Sequence, residues 1–144
     1  MRAKRLNQQN GERIFVVVFD KGDEFSAGML DFAQQQQITA AQITAVGAFS
    51  DVTLGYFNRA DMEYIKIPVN EQVEVLSLMG NIALNDGKPK IHAHVVVGKS
   101  DGTTRGGHVL AAHVWPTLEV IVTESPKDLQ RATDKETGLA LIQW

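Results

Sequence analysis

The most informative segment of the chain is Ile91-His92-Ala93-His94-Val95-Val96-Val97. Small or apolar residues alternate with histidines at its start, and strict alternation of this kind predicts a half-buried β-strand. The residues just before it, Asn85-Asp86-Gly87-Lys88-Pro89, are typical of a turn. Together the turn and the strand predict a sheet in which one face is buried and the other carries histidine.

Apolar runs elsewhere in the sequence predict further strands. Residues Arg13 to Phe19 are continuously apolar and β-branched, which favours a buried strand, and Lys21-Gly22-Asp23 ends the run. Further strands are predicted at 42–49, 52–57, 64–67, 73–79, 109–112 and 118–123. Because the turn-rich Ser50-Asp51 and residues 58–61 separate the first three of these, we interpret them as an antiparallel meander.

One helix is predicted from about Asp23 to Gln36, where apolar residues recur at helical spacing. The polar stretch from Pro126 to Gly138 is expected to be short helix or irregular chain. Many strands with one clear helix predict an α+β fold with a largely antiparallel sheet. We expect a single domain over residues 1–144, with 1–11 as a flexible N-terminal segment.

Composition narrows the functions that the chain can have. With 144 residues, 44% hydrophobic and 22% charged, it has the make-up of a globular protein, and no secretory signal or membrane span is recognised, so the cytoplasm is the expected compartment. A formal net charge of −3 argues against a broadly basic, DNA-coating surface. There is no cysteine, so a transition-metal site has to use imidazole and carboxylate.

Three histidines are placed by strand geometry to share a face. Residues two apart in a strand project to the same side about 6.6 Å apart, so His92 and His94 can aim at one point. If residues 100–102 form a three-residue hairpin loop, His108 lies directly across from His94 and one metal can reach all three imidazoles. A two-residue turn at Asp101-Gly102 would instead send His108 to the other face. Gly106-Gly107 permits a bulge or a close backbone approach at this point.

Two further residues have open or minor roles. His113 falls on the other face by parity, which favours a hydrogen-bonded histidine near a strand end over a metal ligand. Glu119 lies on the polar side of the last long strand, and it is a candidate fourth ligand or a candidate catalytic base acting on metal-bound water. A solvated carboxylate is an equal alternative for Glu119. Imidazole ligands suit zinc, and they also suit other divalent metals such as nickel and iron.

Several motifs carry a resemblance to a known family, the plant and prokaryote conserved domain (PPC domain). They are the run from Glu74 to Ala83, Asp86-Gly87-Lys88-Pro89, Ile91-His92-Ala93-His94, Gly106-Gly107-His108 and Thr117-Leu118-Glu119-Val120. Together with the helix and the motifs at 47–48 and 54–57, they cover nearly the whole chain in the right order.

The resemblance implies an α+β fold assembled as a homotrimer, with metal bound at the positions of His92, His94 and His108. Plant members combine the domain with AT-hooks and act in chromatin, and many prokaryotic relatives are called DNA-binding proteins. This chain has no Arg-Gly-Arg-Pro core, so the minor-groove hook is missing. A more distant similarity is to acetolactate decarboxylase, which also holds zinc through an H-x-H pair and a later histidine.

The leading hypothesis is therefore a zinc-binding homotrimer with a small-molecule ligand or an unidentified metal-assisted reaction at the histidine face. Whether the chain is an enzyme stays open at this stage. The alternatives are a DNA-associated regulatory module and a structural trimer in which the metal only staples each protomer.

Overall fold

The fold is organised around two long strands, β3 (Ala40–Asn58) and β7 (Thr104–Glu124), which pair antiparallel over most of their length. The structure is a computed structural model that describes residues 1–9 and 12–143. The other strands are β1 Arg2–Gln9, β2 Glu12–Phe19, β4 Glu63–Val69, β5 Val73–Asn85, β6 Lys88–Gly98, β8 Gln130–Thr133 and β9 Ala140–Gln143, and the helix is α1 Phe25–Gln35. This architecture fits the predicted α+β class.

Both long strands were predicted as two shorter ones, and that prediction is wrong. The sequence predicts a turn at Ser50-Asp51, yet Asp51 pairs with His113 inside β3, and the register shifts between Phe49 and Asp51 and again between Thr53 and Leu54. Such irregularities add residues and bend a strand without ending it. The chain therefore passes through polar residues while its backbone stays paired.

The strand order is not the predicted meander. β4 does form a hairpin with the second half of β3, as expected, but β5 then returns to pair with the first half of β3. β6 pairs with β5 along its length and also with the first residues of β7. Since β7 itself pairs with β3, strands β3, β5, β6 and β7 form a closed circuit, and all four pairings are antiparallel.

Helix α1 covers the apolar interior of this sheet. Glu24 caps its N-terminus by accepting a hydrogen bond from the Ala27 amide at 2.6 Å, which satisfies one of the free N–H groups of the first turn. The helix buries its own Phe25, Met29 and Phe32. Phe32 contacts Phe15 of β2 edge to face, with ring centroids 5.3 Å apart. The predicted helix is confirmed, with slightly tighter ends.

The N-terminal segment differs from its prediction. Residues Arg2–Gln9 form β1, which pairs antiparallel with β2, so the expectation of a flexible segment over 1–11 is corrected for this part. The side chains of Arg2, Lys4, Arg5 and Asn7 in β1 are exposed, and the sequence shows no apolar pattern there. Residues 10 and 11 lie outside the described part of the chain.

The polar C-terminal stretch contains a strand where short helix or irregular chain was predicted. β8 pairs in parallel with the end of β5 at Leu84 and Asn85, and antiparallel with β9. The resulting β8–β9 hairpin lies beside the strand pair β5 and β6, near the histidines. In the described residues, no helix is long and apolar enough to cross a membrane.

Candidate metal centre

The structure brings the three predicted histidines together. His92 and His94 lie on β6, His108 lies on β7, and one ring nitrogen from each falls within 4.8 Å of the others. The Nε2 atoms of His92 and His94 are 3.2 Å apart. Ring centroids within the trio are separated by 5.1 to 5.4 Å. Three imidazole nitrogens converging at this spacing can hold one divalent cation.

The longer loop gives this register. His94 pairs directly with His108 across β6 and β7, as the three-residue loop predicts. The Lys99 amide donates to the Thr103 carbonyl at 2.8 Å, which leaves residues 100–102 as the loop, and Gly102 has φ +79°. The Asp101 carboxylate accepts from the Thr103 amide at 2.9 Å and fixes the turn. The two-residue alternative is therefore wrong.

Glycine before His108 allows the strands to approach closely. A Cβ on Gly107 would lie 2.9 Å from the Gly55 carbonyl oxygen of β3. The pairing of β6 with β7 runs through Gly106 and Gly107 without a shift, while the pairing of β7 with β3 shifts between Val109 and Ala111. The close approach is thus at the glycines and the irregularity comes after His108.

The environment favours neutral imidazole. Burial lowers the pKa of His108 to about 4, with further lowering from the nearby charges of His92, His94 and Lys90. Burial, followed by the charge of His94, also lowers the pKa of His92. A neutral imidazole has a lone pair free for a metal, so these histidines are ready to act as ligands at neutral pH.

His108 is held from one side by an aromatic ring. Its imidazole stacks on Tyr64 of β4, with centroids 4.9 Å apart and planes 29° from parallel. The Nδ1 atom of His108 is buried and has no hydrogen-bond partner among the described residues. Buried polar atoms are nearly always satisfied, so this orphaned nitrogen fits a site that receives an ion or ligand.

Two cavities adjoin the histidines. One is an open groove of about 710 Å³ that runs past His92 and His94 between β3, β5 and residues 125–129. The other holds about 130 Å³ and lies between His92, His108 and the β8–β9 hairpin. A cation bound by the trio would be accessible from the groove.

Arg131 is a site residue that the sequence analysis missed. It lies on β8, is 8% exposed, and donates through Nη2 to the Asn81 side chain and through Nη1 to the Ala140 carbonyl at 2.8 Å. It also lines the smaller cavity with His92 and His108. Nothing in the polar stretch around residue 131 marks one arginine as buried, so the sequence carries no signal for it.

Glu119 does not join the histidines within one chain. It is exposed on β7, where it pairs with Val18 and Val46, whereas His108 pairs with Gly55. Val46 and Gly55 are nine positions apart on β3, a separation of about 30 Å along a strand. The prediction that Glu119 supplies a fourth ligand or a base to this site is therefore corrected for the single chain.

His113 has the role expected from its parity. Its Nδ1 lies 2.8 Å from an Asp51 carboxylate oxygen, and this hydrogen bond raises the pKa of His113. The same contact lowers the pKa of Asp51. Both side chains are about half exposed, so the pair contributes little to stability. His113 takes no part in the cluster and serves below as a control.

Comparisons with known proteins agree with this fold. The family model described as the Plants and Prokaryotes Conserved (PCC) domain matches residues 6–126. A metal-containing protein from Archaeoglobus fulgidus is 37% identical with a TM-score of 0.84, covering 91% of this chain and 93% of that one. A plant- and prokaryote-conserved protein from Pyrococcus horikoshii is 32% identical with a TM-score of 0.86, covering 92% of each chain.

Two further relatives have names that suggest other roles. A protein from Ralstonia eutropha with a provisional DNA-binding name is 27% identical with a TM-score of 0.86, covering 98% of this chain and 96% of that one. The bifunctional protein GlmU from a Synechococcus strain is 28% identical over 129 residues, which are 88% of this chain but 20% of that protein. The chain thus spans a fifth of this curated relative. None of the relatives named above is an acetolactate decarboxylase, so that similarity stays a prediction.

Proposed function

The chain belongs to the Plants and Prokaryotes Conserved (PCC) domain family, and on that premise we propose that it is a metal-binding protein in which His92, His94 and His108 hold one divalent cation. The convergence of three imidazole nitrogens within 4.8 Å carries the proposal. The metal-containing relative from Archaeoglobus fulgidus supports it, at 37% identity. Zinc is the metal proposed first, because imidazole is among its preferred ligands and no thiolate is present.

A three-histidine metal site can serve catalysis as well as stability. Three protein ligands leave a fourth position on a tetrahedral zinc ion, which is the arrangement found in catalytic sites. The bound cation would supply Lewis acidity at that position. This chain's own part is to present three neutral imidazoles, to stack His108 against Tyr64 and to shield one side of the site with β8 and β9. No catalytic base is assigned, since Glu119 lies elsewhere in the chain.

Metal content tests the proposal. Protein purified without chelators is expected to hold close to one zinc per chain by elemental analysis. His92→Ala and His108→Ala each remove one of the three ligands, so we expect each variant to retain less than about a tenth of the wild-type zinc. Mutating a residue that only hydrogen-bonds to a ligand already lowers metal affinity about 10- to 100-fold. Chelation should also lower the melting temperature of the wild type, because an ion bound to the folded state stabilises it.

His113→Ala is the matched control, because it removes an imidazole from the same strand as His108 but outside the cluster. It should hold the wild-type amount of metal. A wild type without near-stoichiometric metal would overturn the proposal, and so would His92→Ala and His108→Ala variants that bind as much as the wild type. Comparing zinc with nickel and iron(II) in the same assay identifies the preferred ion.

We also propose that the chain assembles as a homotrimer. Its outer sheet face exposes large apolar side chains on neighbouring strands β3, β5, β6 and β7, and patches of this kind mark interaction surfaces. They are Val46, Leu76, Met79, Val96 and Ile121, exposed to between 39% and 59%. Light scattering is expected to give about three times the chain mass of 15.8 kDa, and Leu76→Glu should reduce it. A monomeric wild type would contradict the assembly without affecting the metal proposal.

DNA binding is the alternative that relatives' names suggest, and the charge of this chain does not favour it. The formal net charge is −3, and phosphate contacts need clustered lysine and arginine. The basic residues of β1 could stand in for the missing AT-hook, but Arg2 is already paired with Asp20 at 2.6 Å. A gel-shift series across salt concentrations tests this alternative directly, because binding absent at low salt removes it.

A further inference from the structure

A small, partly open cavity lies beside the histidine cluster. Its volume is about 130 Å³, and it is bounded by His92, His108 and Tyr64 on one side and by Arg131 and residues 139–141 on the other. At about 30 Å³ per water molecule, this is room for roughly four waters or for one small organic molecule. The space shares His92 and His108 with the proposed metal site, and its opposite side is formed by the C-terminal hairpin.

Within residues 1–9 and 12–143, Arg131 is a buried cation without an anionic partner. Its guanidinium donates hydrogen bonds to the Ala140 carbonyl and to the side-chain oxygen of Asn81. Its Nε atom is buried and has no hydrogen-bond partner among the described residues. None of those residues places a carboxylate within ion-pair distance of it. A charge removed from water without a counter-charge is costly, so the fold gains if an anion comes to Arg131.

The rest of the lining is suited to an organic acid. Lys90 adds a second cation, and no acidic residue of the described chain lines the space. Most of the remaining surface is apolar, from Ile91 and residues 139–141. His108 contributes the second buried nitrogen that lacks a partner in the described chain, its Nδ1. Two unsatisfied nitrogens and an apolar wall match a carboxylate that carries a short hydrocarbon chain.

We propose that this cavity binds the carboxylate of a small organic acid, with the Arg131 guanidinium as its counter-charge and residues 139–141 packing on its hydrocarbon part. The inference rests on the proposed function, since it names the ligand class of the site that His92 and His108 form. Arg131 makes its contact independently of the cation, so the two can be tested apart.

Propionate is the probe. Isothermal titration of the zinc-loaded wild type, in buffer free of phosphate and other carboxylates, is expected to show binding, whereas 1-propanol of similar size should not bind. Arg131→Gln should weaken propionate binding at least tenfold, because a hydrogen bond to a charged group contributes about 1.5–3 kcal/mol and 1.4 kcal/mol is tenfold in affinity. Arg105→Gln is the matched control, since Arg105 is exposed and donates only to the Thr104 carbonyl.

A second variant guards against a folding defect in Arg131→Gln. Ala140→Leu places extra carbon in the cavity while leaving Arg131 and the backbone carbonyl of residue 140 in place, so it should also abolish propionate binding. Circular dichroism and thermal melting of each variant establish that it is folded. Propionate binding that survives in both folded variants would overturn the proposal.

Zinc content measured in the same samples separates this inference from the proposed function. Zinc-loaded wild type that fails to bind propionate, or that binds inorganic phosphate instead, overturns the carboxylate site and leaves the metal site standing. If the wild type holds no zinc but binds propionate, and Arg131→Gln loses that binding, the metal site is overturned and the carboxylate site stands. A wild type that holds neither overturns both.

Discussion

Gly80→Ala is expected to lower the free energy of unfolding by about 3 kcal/mol and to reduce zinc retention about tenfold. Gly80 lies on β5 opposite Ala93, where a Cβ would sit 2.3 Å from the His92 carbonyl oxygen and 2.9 Å from the Ala93 Cα. Both atoms are backbone, so the added methyl group has to push β6 away from β5, and overpacking of this kind typically costs 1–3 kcal/mol or more. His92 and His94 move with β6, while a metal site needs its ligands held within about 0.5 Å.

Gly47→Ala is the control that separates lost stability from lost metal. A Cβ on Gly47 would lie 2.3 Å from the Thr117 carbonyl oxygen, and φ is +146° there, so a comparable loss of stability is expected. The clash falls on β7 near Leu118, away from the strand that carries His92 and His94. Urea denaturation and elemental analysis of both variants give the comparison. Equal zinc retention in the two would show that β6 spacing does not control the site.

Glu124→Ala should lower the free energy of unfolding by about 2–3 kcal/mol. The Glu124 carboxylate is 8% exposed and receives two hydrogen bonds from Arg13 of β2, through Nε and through Nη2 at 2.5 Å. Arg13 Nη2 also donates to the Gln36 carbonyl at 2.9 Å, at the end of α1. Removing one partner of a buried pair costs 3–5 kcal/mol, and we expect less here because Arg13 is 23% exposed.

Glu119→Ala is the matched control, because it removes an exposed carboxylate from the same strand. Its effect should stay within about 0.5 kcal/mol. The double variant Arg13→Met, Glu124→Leu should recover much of the loss, since replacing a whole buried pair with apolar residues is often neutral. Chemical denaturation measures all three. A Glu124→Ala variant as stable as Glu119→Ala would show that the pair contributes nothing.

The histidine cluster was the part of the site that the sequence predicted best. Side chains two apart in a strand share a face whatever the rest of the fold does, so His92 and His94 needed only the alternation of their neighbours. The prediction for His108 depended also on the loop length, which the sequence left open between two and three residues, and the structure has the three-residue loop with Gly102 at φ +79°. Local geometry of this kind is written in adjacent residues.

Strand continuity was less open to prediction. Polar Ser50-Asp51 and the gap between the predicted strands 109–112 and 118–123 look like breaks in a strand, yet β3 and β7 run through them because each is the other's long partner. Pairing over such a length outweighs the local preference of a few residues. The error follows from judging each segment by its own composition.

The sequence alone was enough for the class of fold, the buried strand faces and the shared face of His92 and His94, since these depend on periodicity within strands, whereas the face of His108 was conditional on the length of the loop before it. The tertiary structure was needed to show that Glu119 lies about 30 Å along the sheet from the histidine cluster and that Arg131 lies against that cluster. Both depend on which distant strands become neighbours. That choice is made by the closing of β3, β5, β6 and β7 on one another and by the docking of β8 on β5, contacts between residues far apart in the chain that no local pattern records.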